Sequence, residues 1–246
     1  MRGAGQMAAF TVKLGDLLFS VRGSDAACAF CREYTVEEAA ERVVDLTPEA
    51  LSAERQFLRR INDPGADASE QFIETLALFR TIAEQLPAHD RVLFHGSSLA
   101  IDGKGVLFTA KSGTGKSTHT RLWREVFGDR VVMVNDDKPF LHITPEGTTV
   151  YGTPWRGKHR LGSNISAPLR AICIVCRGEE NRIQRATFRE ALPTLLQQTY
   201  MPEDPRMLQR TLALADRLSR TVPVYRLYCN MDPQAAQVAY AGLNLE

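Results

Sequence analysis

The chain has 246 residues, of which 44% are hydrophobic and 24% are charged, and its formal net charge is +1. This length fits one domain or a domain with an appendage, and the hydrophobic content is ordinary for a protein with a buried core. The near-neutral charge argues against a dedicated nucleic-acid surface. No apolar run reaches the length of about 18 residues that a transmembrane helix needs, so we expect neither nucleic acid nor a membrane as a partner.

The N-terminus and the cysteines indicate a cytoplasmic protein. The first residues lack the long apolar stretch of a signal peptide, and we interpret residues 1–6 as a leader before an alternative start at Met7. Two cysteine pairs have two intervening residues each. This spacing is that of a four-thiolate zinc site, which would consist of Cys28, Cys31, Cys173 and Cys176. Residues 171–176 read as a buried strand, in which residues three apart point to opposite faces. We therefore expect reduced, packed cysteines.

Residues 1–90 predict a smaller α/β part whose work is packing or partner recognition. Two β-like runs, 9–14 and 17–22, flank a Gly15-Asp16 turn, and a strand is predicted at 42–46. Ser24 is placed to cap a short helix that turns three side chains inward, namely Ala27, Phe30 and Cys31.

Two longer helices follow in this part. Thr47-Pro48 starts one of them, and residues 69–86 form the clearest helix in the first half. The second helix has apolar residues at spacings of three and four, which predict a buried face made of Phe72, Ile73, Leu76, Phe79, Ile82, Ala83 and Leu86.

From Arg91 onward, short apolar strands with motif-bearing ends predict a second domain, 91–246. We expect strands at 91–94, 99–101, 106–109, 130–134, 140–143, 149–152, 171–176, 183–187 and 224–229, and helices at 188–200, at 205–220 and after Asp232. The helix at 205–220 has a predicted core face of Leu208, Leu212, Ala215 and Leu218. The fold class is therefore α/β.

Residues 106–123 read as strand, glycine-bearing turn and helix, which is the order of a phosphate-binding loop. The expected nucleotide contacts are Lys111, Ser112, Gly113, Thr114, Gly115, Lys116, Ser117 and Thr118. The glycines let backbone N–H groups turn toward phosphate oxygens, and the helix N-terminus adds partial positive charge. In this pattern Lys116 reaches the β- and γ-phosphates and the Ser117 hydroxyl holds Mg²⁺. Ala110 stands where the usual pattern has its first glycine.

Two consecutive acids, Asp136 and Asp137, end the apolar strand that follows this loop. An acid at that point is the expected second half of a nucleotide triphosphate site. Neighbouring side chains in an extended chain point to different sides, so one acid can serve Mg²⁺ while the other addresses an acceptor hydroxyl.

A segment dense in cations and glycine, residues 152–160, follows the strand pair at 140–152. Cations on a mobile loop stabilise charge on a transferring phosphoryl group, and the candidates here are Arg156, Lys158 and His159. Spacing alone equally allows surface charges on a solvated loop.

Three motifs in one order, His95-Gly96, residues 111–118 and Asp136-Asp137, resemble the catalytic domain of bacterial HPr kinase/phosphorylase. Over the whole chain, Gly152-Thr-Pro-Trp155 and Gly157-Lys158 make the sequence similar to the small HPr-kinase-like proteins of Firmicutes-type bacteria. Some relatives of that group lie in clusters that make modified peptides. The glycine-rich signature of the bifunctional enzymes is not found in this sequence, so the resemblance leaves phosphorylase activity and HPr as the acceptor open.

The resemblance implies a P-loop core of mixed sheet related to phosphoenolpyruvate carboxykinase, with flanking helices. It implies Lys116 as the phosphate lysine, Ser117 as a Mg²⁺ ligand and His95 as the histidine beside the site. It also implies Asp137 as the general base and Asp136 as a metal or water ligand, with an exchange of these two roles left open. A homo-oligomer is a further implication of the resemblance alone.

The hypothesis from sequence is a kinase that uses ATP or another nucleotide triphosphate with Mg²⁺. It transfers the γ-phosphoryl group to a hydroxyl, either a Ser/Thr of a protein or peptide or a small molecule. Two alternatives stay open: a non-catalytic, nucleotide-dependent peptide-binding module, and a carboxykinase-like enzyme that acts on a small acid.

Overall fold

The computed structural model describes residues 7–245, so the leader inferred for residues 1–6 lies outside the described residues. The protein is a mixed α/β protein that divides into two compact units, Met1–Gln85 and Leu86–Glu246. Each unit has its own sheet.

The first unit contains a small sheet in the order β3-β1-β2-β4. Its strands are β1 (Met7–Leu14), β2 (Leu17–Ser24), β3 (Thr35–Val36) and β4 (Arg42–Asp45). The predicted hairpin is confirmed, since β1 pairs antiparallel with β2 around Gly15, whose φ is +66°. Strand β4 instead pairs parallel with β2, which requires the longer connection that α1 occupies.

The described residues of this unit also form three α-helices: α1 (Asp25–Phe30), α2 (Pro48–Arg60) and α3 (Glu70–Gln85). The predicted caps are confirmed, because Ser24 and Thr47 accept hydrogen bonds from backbone N–H groups three residues ahead. Ala27 and Cys31 are buried as expected, whereas the prediction for Phe30 is wrong, since its side chain is exposed.

The predicted buried face of α3 is confirmed at Ile73, Ile82, Ala83 and Leu86, which are buried, and is wrong at Phe72. Phe72 is exposed, and Glu74 is buried in its place because both carboxylate oxygens accept hydrogen bonds from Ser24, one from the backbone N–H and one from the hydroxyl. A pattern of apolar residues cannot count such a carboxylate, because its burial depends on a partner 50 residues away.

The second unit contains a larger mixed sheet. The described strands are β5 (Arg91–Leu93), β6 (Ser97–Ile101), β7 (Lys104–Thr109), β8 (Val131–Asn135), β9 (Phe140–Thr144), β10 (Gly147–Tyr151), β11 (Ser166–Arg177), β12 (Arg182–Arg185) and β13 (Val224–Cys229). They follow the order β5-β9-β10-β11-β7-β6-β8, and β13 pairs with both β11 and β12. Strand β11 pairs parallel with β7 on one side and with β13 on the other, and the other pairings in this sheet are antiparallel.

Four helices belong to this unit: α4 (Lys116–Phe127), α5 (Phe188–Gln198), α6 (Pro205–Thr221) and α7 (Gln234–Gly242). Alternate residues of β7 enter different cores, since Val106 and Phe108 pack with α4 and α7 while Leu107 packs with α5 and α6. The sheet therefore lies between two helical layers, and its central strands are apolar on both faces.

The predicted core face of α6 is wrong at Leu212, which is exposed. Thr211 is buried instead, and its hydroxyl donates to the Met207 carbonyl one turn earlier. The hydroxyl thus finds its hydrogen-bond partner within the helix, so a β-branched polar residue can lie on the buried face.

The two cysteines of β11 point to opposite faces, as predicted: Cys173 lies in one core and Cys176 packs against the other. Within residues 7–245 no cluster of three or more His, Cys, Asp or Glu side chains could hold a metal ion, and all five cysteines are free thiols. None of the helices in this described range is long and apolar enough to span a membrane.

Strand directions bring the motif-bearing segments to one edge of the larger sheet. Strand β6 lies between β7 and β8 and is antiparallel to both, so the start of β6 is adjacent to the ends of its two neighbours. The segment before β6, the segment after β7 and the segment after β8 are therefore neighbours, although 40 residues separate the first from the last.

Gly152, just after β10, is a position where only glycine fits. A Cβ atom there would lie 2.0 Å from the Ser163 carbonyl oxygen and 2.9 Å from that of Val134. We expect Gly152→Ala to lower the free energy of unfolding of the second unit by at least about 2 kcal/mol, because rigid backbone must move. Both tryptophans lie in this unit, so their fluorescence during urea unfolding reports on it.

Ser166→Ala, at an exposed residue of β11, is the control and should stay within about 0.5 kcal/mol of the wild type. Equal stability of Gly152→Ala and the control would contradict the close approach of the two backbone segments.

Candidate phosphate-loop site

The predicted strand, loop and helix around residues 106–123 are confirmed by β7 and α4. The loop needs its two glycines, since Gly113 and Gly115 have φ values of +76° and +122°. Ala110 does not have a positive φ, and its side chain is buried in the core. An alanine is therefore tolerated where the usual pattern has a glycine, because this position makes no demand that only glycine meets.

A buried aromatic cluster holds the first turns of α4 against β7. The His119 Nε2 atom accepts a hydrogen bond of 2.9 Å from Trp123 Nε1, and its ring packs edge-on against Phe108 of β7. Burial lowers the pKa of His119 to about 4, so this imidazole is neutral near pH 7. It holds the helix on the strand that leads into the loop.

The Lys116 side chain folds over the loop. Its Nζ atom donates to the Ala110 carbonyl at 3.0 Å, and the side chain is half-buried. Burial lowers the pKa of Lys116, the Asp137 charge raises it, and the Lys138 charge lowers it further, with a net downward shift. The loop after β7 and the acid end of β8 lie at the same edge of the sheet, so the Lys116 ammonium is within the electrostatic field of Asp137 and Lys138. In contrast, Lys111, Ser112 and Ser117 are exposed.

His95 and Asp137 form a pair at the same edge. The His95 Nε2 atom lies 3.3 Å from Asp137 Oδ1, and Lys138 Nζ lies 3.6 Å from Asp137 Oδ2, while a third of the His95 and Asp137 side chains stays exposed. Burial would raise the pKa of Asp137, but the hydrogen bond from His95 and the Lys138 charge outweigh it, so the net shift is downward. The carboxylate is therefore ionised near pH 7 and in contact with solvent.

Backbone contacts hold His95 in place between the other two motifs. Its carbonyl accepts from the Thr109 hydroxyl at the end of β7, and the Gly96 N–H donates to the Asp137 carbonyl. A Cβ atom on Gly96 would lie 2.9 Å from the Phe108 carbonyl oxygen, so glycine permits this close approach.

Asn135 is a site residue to which the sequence analysis gave no role. It is fully buried, and its Oδ1 atom accepts from the N–H groups of Asp137 and Lys138. Its Nδ2 atom donates to the Thr153 hydroxyl and to the carbonyls of Thr153 and Trp155. One amide thus joins the acid pair to the cation-bearing segment. Its place before two acids at a strand end is the only sequence signal for it.

Asp136 is buried, and its Oδ1 atom accepts from the Gly157 N–H at 2.6 Å. Of the three cations predicted in this segment, Arg156 is half-buried, and its Nε atom would lie 3.2 Å from a Cβ atom on Gly162. Lys158 and His159 are exposed at the next turn. The three candidates therefore differ in exposure, since Arg156 is half-buried and the other two are in solvent.

Arg177, at the end of β11, is a second residue that sequence reasoning missed. Its Nη2 atom donates to the Gly113 carbonyl at 2.8 Å. Because β11 runs parallel to β7, its end meets the loop at the same edge of the sheet. Nothing in the local sequence of Arg177 signals this contact, since its partner is 64 residues away.

A family model described as SynChlorMet cassette protein ScmC matches residues 61–234, a range that contains all the site residues named above. The chain belongs to this family. No curated protein matches it. Among solved structures, it is similar to the HPr(Ser) kinase/phosphatase from Coxiella burnetii, with 12% sequence identity, a TM-score of 0.38, and coverage of 61% of this chain and 88% of that chain. This is a distant structural resemblance.

We expect Asn135→Ala to lower the free energy of unfolding of the second unit by about 2–4 kcal/mol, because it leaves several buried polar groups without their partner. The measurement is urea unfolding followed by tryptophan fluorescence. The control is Val132→Ala on the same strand, where the side chain is exposed and the loss should stay below about 1 kcal/mol. Equal losses would show that the Asn135 network contributes nothing specific.

Proposed function

We propose that the protein is an ATP- and Mg²⁺-dependent kinase of the HPr-kinase-like class, which transfers the γ-phosphoryl group to a hydroxyl acceptor. The acceptor is a Ser or Thr of a protein or peptide, or a small molecule. The observation that carries the proposal is the convergence of Lys116, His95 and Asp137 at one sheet edge beside a glycine-bearing loop and a helix N-terminus.

The loop supplies the phosphate contacts. Backbone N–H groups of residues 111–118 and the N-terminus of α4 attract the phosphates. The Lys116 ammonium lies against the Ala110 carbonyl in this structure, and its half-buried position leaves it within the loop, where it can exchange that carbonyl for a phosphate oxygen. Arg177 adds a cation to the rim of the loop.

The residues present fit Mg²⁺ bound together with the nucleotide. Mg²⁺ takes oxygen ligands and is usually held by one or two protein groups, substrate phosphates and water rather than by an all-protein cage. The exposed Ser117 hydroxyl is such a group, and the acid pair offers carboxylate oxygens. When bound, the ion neutralises charge that develops on the phosphates.

We assign Asp137 to take the proton of the acceptor. In the transfer the acceptor oxygen bonds to the γ-phosphorus, the bond from phosphorus to the β,γ-bridging oxygen breaks, and ADP leaves. The hydroxyl proton passes to the ionised Asp137 carboxylate. His95 holds Oδ1 of that carboxylate, which orients the group toward the acceptor.

The roles of the remaining parts are proposals of the same kind. We assign residues 91–246 to the kinase reaction and residues 1–90 to packing or partner recognition, in a protein that acts in the cytoplasm. The Lys158 and His159 side chains are exposed cations that can approach a phosphoryl group or an acidic acceptor.

Lys116→Ala should weaken nucleotide binding about 10- to 150-fold, because it removes a charge-assisted hydrogen bond to phosphate. Titration calorimetry with Mg²⁺ and a non-hydrolysable ATP analogue measures this change. Arg121→Ala, an exposed cation one turn further along α4, is the matched control and should bind like the wild type. Undiminished affinity of the lysine variant would exclude the loop as the phosphate site.

Asp137→Asn should keep nucleotide affinity and lower phosphoryl transfer about 10²- to 10⁴-fold, because the amide cannot accept the proton. The assay is incubation with γ-labelled ATP and a lysate of the source cells, followed by identification of labelled products. Asp129→Asn, an exposed acid after α4, serves as the control. Nucleotide binding without any labelled product from the wild type would reject the kinase and favour the nucleotide-dependent binding module.

A further inference from the structure

Asp136 and Asp137 are consecutive acids with different surroundings. The Asp136 side chain is 7% exposed, whereas a third of the Asp137 side chain is exposed beside His95. Neighbouring residues at the end of a strand point to different sides, so one acid faces the site and the other faces the segment that follows β10. The buried acid therefore needs partners of its own.

Those partners are backbone groups of one short segment. Asp136 Oδ1 accepts from the Gly157 N–H at 2.6 Å, and the Asp136 backbone N–H donates to the Leu161 carbonyl at 3.0 Å. A Cβ atom on Gly157 would lie 3.2 Å from Asp136 Oδ2 and 3.3 Å from Asp137 Cβ. Asp136 thus holds both ends of the segment, and glycine lets its start lie directly against the acid pair.

Between these two ends the chain makes a tight turn, residues 157–160, which we name the cation turn. The Arg160 N–H donates to the Gly157 carbonyl at 2.9 Å, and Lys158 and His159 are exposed at its tip. Arg160 has a φ of +51°, which a side chain with a Cβ adopts at a cost. Such a conformation persists only when surrounding contacts determine it.

We propose that Asp136 is a positioning residue that fixes the cation turn against the acid pair, through the hydrogen bond that Oδ1 accepts from Gly157. What the turn requires at this position is an acceptor oxygen in a buried place. The Gly157 N–H occupies Oδ1 of this carboxylate and holds the side chain toward the cation turn. The acid pair therefore divides its work, and Asp137 alone faces the reacting groups.

The role of an acceptor oxygen can be separated from the role of a charge by two substitutions. Asp136→Asn keeps an oxygen that can accept from Gly157 and removes the charge that a metal ligand needs. Asp136→Ala removes the acceptor as well. If Asp136 is an anchor, the cation turn stays closed in Asp136→Asn and opens in Asp136→Ala. If Asp136 is a metal ligand, both variants lose Mg²⁺ binding.

The rate of trypsin cleavage measures the opening of the cation turn, because trypsin cleaves after Lys158 and Arg160. The full-length chain is digested under native conditions without nucleotide, and mass spectrometry follows cleavage at these two bonds. We expect Asp136→Ala to speed this cleavage at least about tenfold, since local opening exposes the turn. Asp136→Asn should stay within about threefold of the wild type, as should the control Asp129→Ala, which removes an exposed acid elsewhere.

Equal acceleration in the Asn and Ala variants, or no acceleration in either, would overturn the proposal. If Asp136→Ala is cleaved throughout the second unit, Gly157→Ala decides instead, because its methyl group pushes the turn from Asp136 and should raise cleavage at Lys158 and Arg160 alone. Unchanged cleavage in that variant would also reject the anchor.

A second measurement tests the metal role directly. The Mg²⁺ dependence of nucleotide binding should be the same in Asp136→Asn and in the wild type, and a rise of tenfold or more in the Mg²⁺ requirement would assign Asp136 to the metal. The proteolysis experiment needs neither nucleotide nor catalysis. Its outcome therefore stands whether or not the proposed kinase activity is found.

Discussion

The antiparallel position of β6 between β7 and β8 is the constraint on which the candidate site depends. It places the beginning of one strand beside the ends of two others, so His95 comes to lie between the phosphate loop and the acid pair. Gly96 makes this packing close enough for the Asp137 carbonyl to accept its N–H. With β6 parallel to its neighbours, His95-Gly96 would lie at the edge of the sheet opposite the other two motifs.

A second layer of contacts turns this meeting of strand ends into a fixed arrangement. Asn135 satisfies five backbone and side-chain groups from within the core, and it joins the acid pair to the segment at Thr153 and Trp155. Buried amides with all partners present are rigid, because every displacement leaves a polar group unpaired in a place of low dielectric. The partly exposed His95 and Asp137 thus lie beside a buried hydrogen-bond network centred on Asn135.

The sequence predicts the local parts of this site and misses the long-range ones. Lys116, Asp136 and Asp137 belong to patterns that a few adjacent residues define, and β7, α4 and β8 formed where those patterns required. The bonds from Asn135 to Thr153 and Trp155 and the contact of Arg177 with Gly113 join residues 18 to 64 positions apart, so no local pattern contains them. The exposed Phe72 and Leu212 show the same limit in the cores, where Glu74 and Thr211 are buried through hydrogen bonds that apolar periodicity does not register.

The two acids show how one dipeptide can place its side chains in two different surroundings. The alternation of side chains at a strand end sends Asp136 inward and leaves Asp137 at the surface of the site. The buried Asp136 carboxylate accepts a backbone N–H from the segment after β10, whereas the ionised Asp137 carboxylate contacts His95 and remains open to solvent. Since both residues follow the same strand, the backbone links the segment with the exposed cations directly to the Asp137 carboxylate.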